Sequence, residues 1–148
     1  MTRTLSIVTL IVTSLFAGFA QANAHEVAER CIAEIREMAD RSVDAIHTTT
    51  ANGVERIQRL ADEGAPDEAL IRSARHSIRR IHTIARSSSA HIGRVVHACV
   101  RELRDMGAPD ELIEAVVMAG RHARGRIGTA AENGTRAIGR ALRDALDG

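Results

Sequence analysis

Gly64-Ala65-Pro66-Asp67-Glu68 and Gly107-Ala108-Pro109-Asp110-Glu111 are one five-residue device used twice, 43 positions apart. Each stands where one helical pattern ends and the next begins. Glycine suits the left-handed residue that closes a helix, and proline suits the first helical position, where a missing N–H costs nothing. Asp and Glu then oppose the positive end of the new helix dipole. The repeat predicts two interhelical turns and three units, 25–63, 64–106 and 107–148.

Residues 1–24 read as a secretory signal peptide. Arg3 gives a positive start, Leu5 to Ala20 is an uncharged, mostly apolar run of 16 residues, and Ala22-Asn23-Ala24 is a small-x-small cleavage site. The run falls short of the ~20 residues of a spanning helix. The expected mature chain, 25–148, is a single helical domain starting at His25 in a bacterial periplasm or beyond.

Without that segment the chain has no aromatic residue, because Phe16 and Phe19 are the only two. It has no lysine either; all 20 basic residues are arginine. Its core must be built from Ile, Leu, Val, Met and Ala. Good helix formers abound.

Apolar or small residues recur at helical spacing in every unit. The first carries Ile32, Ile35, Met38, Val43, Ile46, Thr50, Val54, Ile57 and Leu60. The second carries Leu70, Ala74, Ile78, Ile81, Ala85, Ser88, Ile92, Val95, Cys99 and Leu103. The third carries Ile113, Val116, Gly120, Ile127, Ala131, Ile138 and Leu142. Local echoes, such as Cys31–Met38 with Cys99–Met106, suggest a duplicated unit. Each unit has a weak middle: Asn52-Gly53, Ser87-Ser88-Ser89 and Asn133-Gly134. If those are turns, the fold is a three-repeat helical-hairpin solenoid. The stripe keeps its phase across them, so the expectation is all-α: three long antiparallel helices in an up-down-up bundle.

Cys31 and Cys99 lie 34 positions either side of Ala65. In a hairpin folded at the first turn they face one another, and an oxidising compartment would join them. A disulfide closing so long a loop stabilises by ~4 kcal/mol on the chain-entropy model.

Charge is unevenly spread. The first unit has nine acids and five Arg, the second four acids and eight Arg, and the third six of each. No acid falls between Glu68 and Glu102. Arg72, Arg75, Arg79 and Arg80 lie there with His76, His82, His91 and His97, and Arg121 and Arg124 form a second cluster. One reading is a solvated face balanced by acids of the first helix. The other is an anion-binding strip, since guanidinium forks match phosphate and carboxylate. Nucleic acid is not an expected partner, because the mature chain offers no aromatic stacking platform.

No two of the seven His are spaced i,i+3 or i,i+4 as helical metal ligands. His47 and His82 are equivalent about the first turn and could approach. Ser87-Ser88-Ser89 near His91 lacks an acid to complete a triad. Gly120, Gly125, Gly128 and Gly139 suit close helix approach. Neither an enzyme nor a cofactor is expected. The resulting expectation is an exported protein acting through interaction, binding anionic envelope components along its Arg/His strip. The alternatives are an amphipathic membrane-surface protein and a periplasmic His-based metal or stress sensor. The sequence names no partner or oligomeric state.

Overall fold

The computed structural model describes the backbone from Leu5 to Gly148 and side chains from Ala22 onward. The side chains of the expected signal's apolar run therefore lie outside the described residues. Three helices follow in order: α1 (Leu5–Asp62), α2 (Asp67–Asp105) and α3 (Asp110–Asp147). Each packs against both others. With two short turns this gives the expected up-down-up three-helix bundle. α1 begins earlier than Glu26 and passes through Ala22–Ala24 unbroken, since no proline interrupts it. Ala24 and Ala28 are buried.

Both turns close as the glycines predict. Gly64 and Gly107 adopt φ +67°. The Gly64 N–H donates to the Ala61 carbonyl and the Ala65 N–H to Leu60, each at 2.9 Å; Gly107 and Ala108 repeat this with Arg104 and Leu103. That pattern satisfies carbonyls a helix end otherwise leaves open. The prolines sit one residue earlier than expected. Pro66 and Pro109 cap their helices with ψ near 150° (150° and 145°). Their carbonyls accept the first bonds of the next helix, from Ala69 and Leu112.

The weak middles are helical, so the solenoid alternative does not hold. Asn-Gly is a turn signal only where the chain is free to turn. Here Gly53 and Gly134 are buried at helix crossings. A Cβ at Gly53 would meet the Ser77 Cβ at 2.9 Å, and one at Gly134 would meet Ile81 at 3.2 Å. Thr49 and Thr50 satisfy their hydroxyls on the carbonyls of Ala45 and Ile46, one turn back. Gly120 also marks a close approach, against Val96. Gly125 and Gly128 do not; the space beside them is open. Gly139 has only the Arg143 side chain nearby, at 3.9 Å.

The core is a thin aliphatic column. Ile35, Ile46, Ile57, Ile81, Ile92, Leu103, Val116, Ile127 and Ile138 are fully buried. Each such side chain contributes roughly 1.5–3 kcal/mol on burial. A disulfide joins Cys31 to Cys99, with Cα atoms 6.2 Å apart. Among the described residues no helix is long and apolar enough to cross a membrane.

Candidate anion-binding groove

Arg72, Arg75, His76, Arg79 and Arg80 follow the i, i+3, i+4, i+7, i+8 spacing of one helix face, and on α2 that face borders α1. Arg72, Arg75, His76 and Arg79 line a cleft of about 600 Å³ between the two helices. Arg80 lines the adjoining cleft, about 360 Å³, with Thr48, Asn52 and Ser77. Arg56 and His76 line both clefts, which makes them one continuous groove.

Arg56 comes from α1 and was not singled out in the sequence, where it stands in the acidic unit beside Glu55. Its register held the signal. It lies nine positions before Ala65, level with Ala74 and hence with the α2 arginines.

The six predicted arginines divide. The four on α2 come together, whereas Arg121 and Arg124 on α3 do not join them. The Arg121 Nη1 lies 3.9 Å from the Met118 sulfur, and the Arg124 Nε donates to the Gly120 carbonyl at 3.4 Å. Both are turned along their own helix.

The groove is electrostatically uncompensated. No carboxylate lines either cleft. Among the described residues three ion pairs form: Arg30–Glu102 at 2.9 Å, Arg126–Asp40 at 2.7 Å and Arg41–Glu37 at 3.4 Å. None uses an arginine of these two clefts. The one bridge between α1 and α2 runs opposite to the net charges, with its arginine on the acidic helix. No acid of α1 therefore forms an ion pair with the groove arginines of α2.

Hydroxyls lie deeper. Ser73 and Ser77 are buried, at 9% and 7% exposure, on the α2 wall. The Ser73 Oγ has no hydrogen-bond partner, an arrangement costing ~1–3 kcal/mol unless something fills it. That oxygen is sealed from solvent; the guanidinium forks at the mouth are what can bind an oxyanion with several charge-assisted bonds.

The histidines pair differently from expectation. His47 lines a cleft of about 440 Å³ between α1 and α3 with His122 and Arg126, while His82 is exposed on α2 and does not line it. Distance from the turn sets a residue's level along the helix but not its face. His47 shares its face with Asp40 and Val43, which look toward α3. Among the described residues no group of three or more His, Cys, Asp or Glu is placed to hold a metal ion. No protein-family model, curated protein or solved structure matches this chain, so its functional reading rests on the groove itself.

Proposed function

We propose that the protein is exported, non-enzymatic, and works by holding an anionic envelope component in the α1/α2 groove. The observation that carries this reading is the convergence of five arginines and one histidine on a groove with no carboxylate in its walls. The amino-terminal signal pattern and the disulfide support an oxidising location. The lack of aromatics after Phe19 argues against nucleic acid as the ligand.

Calorimetric titration tests the reading. The purified, disulfide-bonded protein is titrated at low salt with a sulfated polysaccharide, with polyphosphate and with anionic vesicles. At least one should bind, and the Arg75→Gln, Arg79→Gln, Arg80→Gln triple variant should lose that binding while its melting temperature holds. No binding to any of the three by the native protein would end the proposal. N-terminal sequencing of the secreted form is expected to start at His25; a product retaining Leu5–Ala20 would overturn the export assignment.

A further inference from the structure

The groove is longer than any one anion requires. Past Arg80 it continues: Ala45 and Ile84 line both the second cleft and a third, which adds Arg41 and His91. From Leu60 to Met38 on α1 is 22 residues, and from Ala69 to His91 on α2 again 22, so the channel runs about 33 Å at the helical rise. No carboxylate is among the residues lining the three clefts, but Arg41 of the third pairs with Glu37 one turn back at 3.4 Å, an exposed pair of little strength. Such a channel has the shape of a thread, with cations every turn from Arg72 to Arg80 and then again only at Arg41 and His91.

Resting on the anion-binding reading above, we propose that the occupant is a linear polyphosphate chain, phosphates joined end to end, lying lengthwise between α1 and α2. Three observations select it. Close-packed helices have axes only ~8–10 Å apart, so the channel between them admits a single narrow strand. Five arginines with no ion-pair partner crowd the first two clefts along that strand's path. Among the described residues no aromatic side chain lines the channel to stack on a sugar ring or a base. A bare chain of tetrahedral oxyanions fits forks alone.

Chain length is the discriminating variable. Orthophosphate, tripolyphosphate and long-chain polyphosphate are titrated into the disulfide-bonded protein, beside a sulfated polysaccharide and anionic vesicles. Long-chain polyphosphate should bind tightest. With the coefficient of a flexible single-stranded polyanion and six arginine contacts, its affinity should fall about 300-fold between about 50 and 200 mM salt. Arg72→Gln and Arg41→Gln, at opposite ends of the channel, should each weaken the long chain and leave tripolyphosphate nearly unchanged. Tripolyphosphate binding as tightly as the long chain would mean a compact anion site, and this inference would fail. Tighter binding of the polysaccharide or vesicles than of polyphosphate would overturn it too, while leaving the anion-binding reading intact. Silence from every probe would remove both.

Discussion

The seam between α1 and α2 and the seam between α1 and α3 are built from similar residues and end in opposite electrostatic states. Each holds clefts lined by Arg and His. At the α3 seam Arg126 is answered by Asp40 at 2.7 Å. At the α2 seam five arginines are answered by nothing. The cause lies in where α1 keeps its acids. They cluster from Glu26 to Asp44 and resume only at Glu55, and the acid-free stretch between supplies Ala45, Thr48, Asn52 and Gly53 to the groove. A helix's net charge says little about the face it gives a neighbour. Local gaps decide.

The two seams also differ in how they are held, and that difference can be broken. α2 is tied to α1 at both ends, by the Gly64 turn and by the disulfide, whereas α3 has only the Gly107 turn. Reducing Cys31–Cys99, or changing both to serine, should therefore have the largest effect: a loss of ~4 kcal/mol on the loop-closure model. Melting with and without reductant reads it directly, and an unchanged midpoint would show that packing alone holds the pair.

Glycine exchange comes next and should change sign with position. Gly53→Ala presses on the Ser77 Cβ, which moves only with its backbone, and should cost about 1–3 kcal/mol. Gly125→Ala faces open space and should instead stabilise by about 0.5–1 kcal/mol. Denaturant midpoints of the two variants decide; equal shifts would contradict the helix crossing at Gly53.

Charge changes are expected to matter least. Asp40→Asn removes the α1–α3 bridge, which is half exposed on both sides, and should cost about 0.2–1 kcal/mol. The triple Arg75, Arg79, Arg80 to Gln variant should stay within about 0.5 kcal/mol of native, because those arginines form no ion pair. Thermal melts that rank the two in reverse would restore the view of the α2 arginines as structural.

Most of the scaffold was legible because it rests on local chemistry. The turn glycines, the helical stripe and the equal distance of Cys31 and Cys99 from Ala65 each fix a feature without knowledge of the rest. Many buried positions followed the stripe, but Ser73, Ser77, Ala123 and Ala130 did not, small or polar residues that periodicity of hydrophobicity passes over. Asn52-Gly53 and Asn133-Gly134 carried a local turn signal that the unbroken phase of the stripe outweighed. Their local preference for a turn is overridden by a tertiary need for a residue without a side chain. The groove was half legible. Four arginines on one α2 face were visible as a cluster, but Arg56 and the separation of Arg121 and Arg124 depend on which way each helix is rotated, and linear spacing leaves rotation open.

The covalent link between Cys31 and Cys99 also sets a path for mechanical load. Tension applied at the chain's two ends enters through the start of α1, crosses at the sulfur bridge and leaves through the end of α2 and α3. Everything between the cysteines hangs outside that path while the bond is intact. The whole channel, from Met38 to His91, lies in this unloaded loop. Pulling at the ends would therefore load α3 and the Gly107 turn first, while the covalent path leaves both walls of the channel unstretched.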